Sequence, residues 1–438
     1  MPRREFSQAV LSHRRDHYNR YQYGGTTVQL RIALFVRNKV MIKLNRRIAA
    51  LKPSATMAAE ARATEMKEKG IDVISLAAGE PDFDTPERIK AAARRALDEG
   101  RTKYTTVSGV TDLKKAIALK LRRDNHLDYE IGEILATAGC KQAEANVIAA
   151  LFDEGDEVII PTPAWVSLAA IVGLSGAVPI LVPCPEGNGF LLGPDELKKA
   201  ITPRTRGIIL NSPSNPTGAV YSASHLAEIA KVALDADMWV LSDDVYEHIS
   251  YDGLPAHIFT VEPRLRSKGI VFNSLSKTYA MTGWRIGFAA GPKEAIAAAA
   301  RLQGQNSGNP NSITQYAAIE ALTGPQDDVR AMAEEFRARR SVVVDRVRAL
   351  PGFRLPHIPP GAFYAFPNIS GLIGKTLRGR KIEHGDSFAA IALDEARVAM
   401  VGGNDFGAPD HVRISYAASR ENLNAAFDRI SELLKKLD

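Results

Sequence analysis

Hydrophobic residues follow two alternating patterns along the chain. Short apolar runs, typical of strands buried on both faces of a sheet, occur at "EVIIP", "VPILVP", "GIILN", "MWVLSD", "GIVFNS" and "RIGFAAG". Stretches with helical spacing lie between several of them, such as "ASHLAEIAKVALDAD". In "DTPERIKAAARRALDEG", Asp84 and Thr85 are predicted to cap a helix that has Pro86 in its first turn and ends at Gly100. The alternation predicts an α/β fold, with a mostly parallel sheet and helices on both faces.

Polar residues cluster directly after the predicted strands. "ILNSPSNPTG", "LSDDVYEH" and "FNSLSK" each carry them at the end of an apolar run. Because ligands bind beyond the carboxyl ends of the strands in an open α/β sheet, these side chains are expected to meet at one site. "EILATAGCKQAEANVIAALF" predicts a strand, a turn at Ala138 and Gly139, and a helix whose first N–H groups suit a phosphate. Such a turn is also common as a purely structural feature.

"SLSKTYAMTGWRIG", residues 274–287, holds an unusual density of hydrogen-bond donors. Ser274, Ser276 and Arg285 could together bind a phosphate dianion, with the arginine in bidentate geometry. Lys277 would then lie beside the molecule that carries this phosphate, where a partly desolvated amine can form a Schiff base. The alternative, for Lys277 taken alone, is a surface lysine that happens to lie near an unrelated arginine.

The other strand ends supply what a pyridine aldehyde cofactor requires. Its ring nitrogen needs a buried carboxylate to stay protonated, and Asp243 or Asp244 offers one. Tyr246 and Asn215 are candidates for the ring hydroxyl. Trp165 could stack on the ring. The alternatives are purely structural: Trp165 and Tyr246 as aromatic residues of the core, and Asp243 as a helix cap.

Composition and charge exclude several classes of protein. The 438 residues, 45% hydrophobic and 24% charged, are enough for a large globular domain and a smaller one. Residues 1–40 contain seven arginines and one lysine against Glu5 and Asp16, so the formal charge of +6 lies entirely in this segment. A neutral body predicts no nucleic-acid partner, and no apolar run of 18 residues predicts a membrane span. Cys140 and Cys184 form no C-x-x-C pair, so we predict neither disulfides nor a metal site, and a cytoplasmic location.

We expect residues 1–40 to be a basic extension that is disordered or results from a start codon assigned too far upstream. An organelle transit segment is the alternative, because the segment is rich in arginine and poor in acidic residues.

Six motifs, in this order and spacing, carry a family resemblance: "KPSAT", "AAGEPDFDTP", "NSPSNPTG", "SDDVYE", "SLSKTYAMTGWRIG" and "VRISYA". From about Leu44 to the C-terminus, the chain resembles the class I, fold-type I aminotransferases that depend on pyridoxal 5'-phosphate, near the bacterial aspartate aminotransferase subgroup. The resemblance implies a large cofactor domain with a mostly parallel seven-stranded sheet over 85–325. It also implies a small α+β domain made of 41–84 and 326–438, and a homodimer with shared active sites.

The resemblance also implies a role for each matching residue. Lys277 is the catalytic lysine, which binds the cofactor covalently and moves the substrate proton, while Asp243 pairs with the ring nitrogen and Tyr246 and Asn215 with the ring hydroxyl. Trp165 stacks on the ring, and Gly79 and Arg413 bind the substrate α-carboxylate. The phosphate is held by Ser274, Ser276, Arg285, the backbone of Cys140 and Lys141, and Tyr104 from the neighbouring subunit.

These roles predict an enzyme of amino acid metabolism that moves an amino group from an L-amino acid to a 2-oxo acid such as 2-oxoglutarate by a ping-pong mechanism. Lys52 and Thr56 match positions near a distal carboxylate, which favours an aspartate-like dicarboxylate. Ala164, Leu168 and Asp405 depart from the family pattern near the site and argue for a different side chain. A lyase or synthase of the same fold, or an aminotransferase for a specialised amino acid, is therefore the alternative.

Overall fold

The structure is a computed structural model that describes residues 21–23, 26–28, 45–51 and 54–438. The chain forms two compact units, Met1–Ala49 and Ala50–Asp438. The strands of the described residues are, in chain order, β1 Tyr21–Tyr23, β2 Thr26–Val28, β3 Ile74–Ser75, β4 Ile134–Thr137, β5 Glu157–Thr162, β6 Val178–Pro183, β7 Thr205–Asn211, β8 Trp239–Asp243, β9 Gly269–Ser274, β10 Gly287–Ala290, β11 Tyr364–Ala365, β12 Thr376–Leu377, β13 Arg380–Lys381, β14 Val398–Ala399, β15 Val401–Gly402 and β16 Val412–Ser415.

The α-helices of the same residues are α1 Arg46–Ala49, α2 Ala55–Glu68, α3 Glu87–Asp98, α4 Thr111–Asn125, α5 Cys140–Leu151, α6 Ser167–Ser175, α7 Pro194–Ala200, α8 Ala223–Asp235, α9 Ile258–Val261, α10 Leu275–Thr278, α11 Lys293–Asn306, α12 Ser312–Thr323, α13 Asp327–Ala349, α14 Gly385–Ile391 and α15 Arg420–Leu434. In the first unit, β1 and β2 pair antiparallel. The other predictions for residues 1–40 fall outside the described residues.

Seven strands form the central sheet of the second unit, in the order β4-β10-β9-β8-β7-β5-β6. The strands from β6 to β9 run parallel to their neighbours. β10 is antiparallel to both β9 and β4, so the other six strands share one direction. The predicted α/β fold with a mostly parallel seven-stranded sheet is confirmed. The carboxyl ends of β4, β5, β7, β8 and β9 therefore meet at one edge.

The apolar strands are explained by cores on both faces of this sheet. Successive side chains of a strand point to opposite faces. Accordingly, Ile208 and Leu210 of β7 belong to one core, and Ile209 belongs to the core on the other face. All six residues of β9 are buried. A continuous apolar run is what two covered faces require.

A third core lies among α13, α15, β11 and β16, where Phe336, Phe427, Tyr364 and Ile414 pack together. β3 pairs in parallel with β14, so residues 74–75 join the C-terminal part of the chain. The small domain made of 41–84 and 326–438 stays a prediction, as does the cofactor domain over 85–325.

The predicted cap of α3 was wrong. Pro86 is the N-cap residue and offers no side-chain hydrogen bond. The Thr85 hydroxyl instead donates to the Ala280 carbonyl at 2.7 Å, and Asp84 pairs with Lys90. A long-range contact has taken the hydroxyl that the local pattern assigned to the helix.

Candidate functional site

A cavity of about 490 Å³ opens at the carboxyl edge of the sheet. It is lined by these residues predicted from the sequence: Thr56, Gly79, Cys140, Lys141, Trp165, Asn215, Asp243, Tyr246, Ser274, Ser276, Lys277, Arg285 and Arg413. Tyr104 is not among the lining residues and is 98% exposed. The prediction for Lys52 falls outside the described residues.

Lys277 projects from α10, the short helix that follows the buried strand β9. Its Nζ donates to the Gly79 carbonyl at 2.6 Å. Burial lowers the pKa of Lys277 to about 8, against a raising effect of Glu80, while Arg285 and Arg413 lower it further. At pH 7, Lys277 is therefore a neutral amine in about a tenth of the protein molecules. The neutral amine is the nucleophilic form.

Two neighbouring aspartates, Asp243 and Asp244, lie at the end of β8. Their different surroundings show which of them is the candidate carboxylate of the site. Asp243 lines the cavity, and its Oδ2 accepts from the Asn211 amide at 3.1 Å. Burial, and after it the charge of Asp244, raises the pKa of Asp243 to about 7. Asp244 instead accepts from the Ser242 hydroxyl at 2.7 Å and contacts His257 at 3.0 Å. Of these two aspartates, Asp243 is therefore the one that lines the cavity.

The start of α5 forms one end of the cavity. Its first N–H groups have no intrahelical acceptor and point out of the helix, as an anion site needs. Gly139 precedes the helix with φ 91°, and a Cβ there would lie 2.4 Å from Nη2 of Arg285. A Cβ at Gly287 would lie 2.6 Å from the Cys140 nitrogen. Glycine at these two positions lets backbone and guanidinium meet around one small space.

Ser274, Ser276 and Arg285 border the same space. The Ser274 hydroxyl donates to the Ser276 hydroxyl at 2.7 Å and also lies 3.1 Å from the Ile286 carbonyl. Arg285 has φ 55°, and its guanidinium donates to the carbonyls of Thr282 at 2.8 Å and Ala138 at 3.3 Å. The hydroxyl, guanidinium and amide donors predicted from the sequence are brought together here.

Arg413 of β16 is buried and also lines the cavity. Its Nη1 donates to Oδ1 of Asn215 at 3.0 Å, and its Nη2 donates to the Ala77 carbonyl at 2.7 Å. Its guanidinium carbon lies 4.5 Å from the centre of the Tyr364 ring. Its Nε has no hydrogen-bond partner among the described residues. A guanidinium oriented in this way, with a donor to spare, suits a carboxylate ligand.

Two aromatic side chains complete the walls. Trp165 lies near the carboxyl end of β5, and the Lys141 ammonium is 4.8 Å from its ring centre. The Tyr246 hydroxyl is 2.9 Å from the Tyr364 hydroxyl. Burial raises the pKa of Tyr246, so its phenol keeps the proton that it can donate.

The family profile described as aminotransferase class I and II matches residues 71–430. The chain belongs to this family. It is 46% identical to the aspartate aminotransferase of Geobacillus stearothermophilus, over 90% of this chain and 99% of the relative. It is 47% identical to the aspartate/prephenate aminotransferase of Cereibacter sphaeroides, over 89% and 98%.

A solved structure, the aspartate aminotransferase of Rhizobium meliloti, superposes with a TM-score of 0.87 at 44% identity, covering 91% of this chain and all of that one. The enzyme from Thermus thermophilus with maleate gives a TM-score of 0.83 at 42% identity, over 90% and 100%. The protein is thus an aminotransferase that depends on pyridoxal 5'-phosphate, the cofactor of this family.

The cavity of the aminotransferase fits this cofactor. The donors around the start of α5 suit its phosphate, and the buried Asp243 suits its ring nitrogen. Lys277 lines the same cavity, and a fraction of it is the neutral amine near neutral pH. In the described part of the chain, no helix is long and apolar enough to cross a membrane.

Asn211, Tyr364 and Glu144 are among the lining residues of the aminotransferase that the sequence prediction did not name. Asn211 stands in the quoted "ILNSPSNPTG", and only the fold shows that its amide bonds Asp243. Tyr364 lies in an apolar run and gave no signal. Glu144 could have been noticed as the one charged residue of α5 after Lys141.

The positions that depart from the family pattern do not contribute to the lining described above. Ala164 and Leu168 border a separate small pocket, and Leu168 is buried. Asp405 is exposed in a short 3₁₀ helix, Asn404–Phe406. Burial raises the pKa of the Cys140 thiol well above its usual value, so this thiol keeps its proton near neutral pH.

Proposed function

We propose that the protein is an aspartate aminotransferase that passes the amino group of aspartate to a 2-oxo acid such as 2-oxoglutarate in two half-reactions. The observation that carries this proposal is the position of Lys277, whose half-buried side chain lines one cavity with Asp243 and with the guanidinium of Arg413. Relatives named aspartate aminotransferase, 41% to 47% identical, support the donor.

Each residue of the proposed machinery acts through its own chemistry. Lys277 would hold the cofactor covalently through its Nζ and, as the free amine, would move the proton at the substrate Cα. The bound cofactor supplies the electron sink for the Cα electrons. Asp243 holds the proton on the ring nitrogen, while Tyr246 and Asn215 donate to the ring hydroxyl oxygen.

Binding and orientation come from other residues that line the cavity. Ser274, Ser276, Arg285 and the first N–H groups of α5, those of Cys140 and Lys141, hold the phosphate. Trp165 stacks on the ring. Arg413 binds the α-carboxylate of the substrate, which Gly79 also approaches.

The distal carboxylate of the substrate is assigned to the start of α2. The Thr56 hydroxyl lines the cavity and has no hydrogen-bond partner among the described residues. Ser54 is the N-cap residue of the same helix. The positive end of the helix dipole lies at this terminus and favours an anion. Lys52 precedes this cap in the sequence and would add a cation.

We further propose a homodimer, since the exposed Tyr104 is expected to complete the phosphate site of the partner subunit. A cytoplasmic location agrees with two free cysteines, Cys140 and Cys184.

The test is an absorbance titration of the loaded enzyme with amino donors added one at a time, aspartate first. A spectral change with aspartate, reversed by 2-oxoglutarate, is the expected outcome, and Lys277→Ala should abolish turnover. A spectrum changed by another amino acid but not by aspartate would overturn the donor. Consumption of an amino acid without any response to 2-oxo acids would instead indicate a lyase.

A further inference from the structure

Glu144 is a buried carboxyl group that none of the roles above uses. It lies on α5, one turn after Cys140, and only 1% of it is exposed. Neither carboxyl oxygen has a hydrogen-bond partner among the described residues. Burying such a group without a partner is costly, so its presence beside the cofactor cavity calls for a physical reason.

Glu144 stands next to the carboxylate that is proposed for the ring nitrogen. One oxygen of Glu144, one oxygen of Asp243 and the sulfur of Cys140 all lie within 4.8 Å of one another. Two buried carboxyl groups this close cannot both be ionised easily, so one of them holds a proton. Burial, and then the charge of Asp243, raises the pKa of Glu144 well above its usual value, which leaves the proton on Glu144.

The remaining titratable groups that interact with this pair are Cys140 and Lys141 of α5, Asp244 and Tyr246 after β8, and Lys277 of α10. Both amines are engaged elsewhere: the Lys277 Nζ donates to a backbone carbonyl, and the Lys141 Nζ lies over the indole ring of Trp165. Asp244 is bonded to Ser242 and His257. The carboxylate of Asp243 is therefore the acceptor within reach of a Glu144 proton.

We propose that Glu144 is a positioning residue for the cofactor: as a neutral acid, it donates its O–H to Asp243 and so keeps that carboxylate ionised for the ring nitrogen. A hydrogen bond to a carboxylate favours its charged form. A side-chain rotation of Glu144, or one bridging water, spans the separation between the two groups. This inference rests on the proposed pairing of Asp243 with the ring nitrogen.

The test measures the affinity of the full chain, freed of its cofactor, for pyridoxamine 5'-phosphate across neutral pH by calorimetry. This probe has no aldehyde, so its affinity contains no covalent step at Lys277. In Glu144→Leu, Asp243 should become protonated at a higher pH. The pH below which affinity for the probe falls, the acid limb, should therefore move up by about 1 to 2 pH units. This shift is equivalent to the loss of one charge-assisted hydrogen bond. Glu144→Gln keeps a neutral donor and should retain the pH dependence of the unmodified protein.

Melting temperatures separate this role from simple packing. Glu144→Leu exchanges the proposed hydrogen bond to Asp243 for apolar contacts in the same buried space, so the melting temperature of the cofactor-free chain should change little while its probe affinity on the acid limb falls. Asn146→Leu is the matched control, because Asn146 is also buried on α5 and donates to Gln303 at 3.0 Å. This variant should lose stability and keep the pH dependence of binding.

Asp243→Asn distinguishes the two levels of the argument. If this variant binds the probe as well as the unmodified protein, the proposed role of Asp243 is wrong. If Asp243→Asn weakens binding but Glu144→Leu leaves the pH dependence unchanged, the inference about Glu144 alone is overturned. A Glu144→Gln variant that behaves like Glu144→Leu overturns it as well, because the neutral donor would then be without effect.

Discussion

The low pKa of Lys277 predicts the pH dependence with which the cofactor attaches to the protein. Only the neutral amine attacks an aldehyde. With a pKa of about 8, roughly 9% of Lys277 is neutral at pH 7, whereas the ordinary value of about 10.4 would leave roughly 0.04%. The attachment rate at pH 7 is therefore about 200-fold higher than an exposed lysine would give. The rate should rise with pH through about 8 and then level off.

The same shift has a consequence for stability. Because the folded-state pKa lies below the unfolded value, the unfolded chain binds more protons between the two, and the free energy of unfolding rises with pH over that window. The gain between about pH 8 and 10.4 is about 3 kcal/mol. Lys277→Met should lose this rise, which thermal unfolding of the cofactor-free chain can measure.

Stopped-flow absorbance after mixing cofactor-free protein with pyridoxal 5'-phosphate measures the rate. Glu80→Gln supplies the perturbation: Glu80 raises the pKa of Lys277, so its removal should move the midpoint to lower pH. Asp84→Asn is the control, since it removes a carboxylate of the same loop that pairs with Lys90. A midpoint above pH 10, or one that Asp84→Asn moves and Glu80→Gln does not, would refute the reasoning.

Three further predictions concern binding. Arg413→Lys loses one charge-assisted hydrogen bond to the substrate carboxylate, so the affinity for a dicarboxylate inhibitor, measured by calorimetry, should fall by about 10-fold to 100-fold. Arg339 is another buried arginine and is bonded to Asp82. The control variant Arg339→Lys should lose stability and leave the affinity unchanged. Gly139→Ala should weaken cofactor binding, because its Cβ would lie 2.4 Å from the Arg285 guanidinium. Gly155→Ala is the control, since Gly155 has φ +89° and a Cβ there would have nothing within 4 Å. Equal cofactor affinities in the two variants would contradict this prediction. Tyr104→Phe should weaken the cofactor affinity of a dimer although this side chain is 98% exposed within one chain, and an unchanged affinity would argue against a shared site.

The strand ends were the most informative part of the sequence. The apolar runs and the polar residues that follow them predicted the sheet, its direction and the edge at which the site lies. That information is local, because a buried parallel strand must be apolar throughout and must end where polar groups begin. The donors of "SLSKTYAMTGWRIG" could be assigned to a phosphate for the same reason: they stand close together in the chain.

Tertiary structure decided what depends on partners distant in sequence. The choice between Asp243 and Asp244 follows from which one faces the cavity, and the pattern "SDD" does not contain that information. The proposed cap at Thr85 failed because a carbonyl nearly two hundred residues away took its hydroxyl. Only the fold shows that the carboxyl group of Glu144 lies beside Asp243 and has no hydrogen-bond partner among the described residues. Sequence determines which groups are available, while burial and long-range packing set their pKa values and their neighbours.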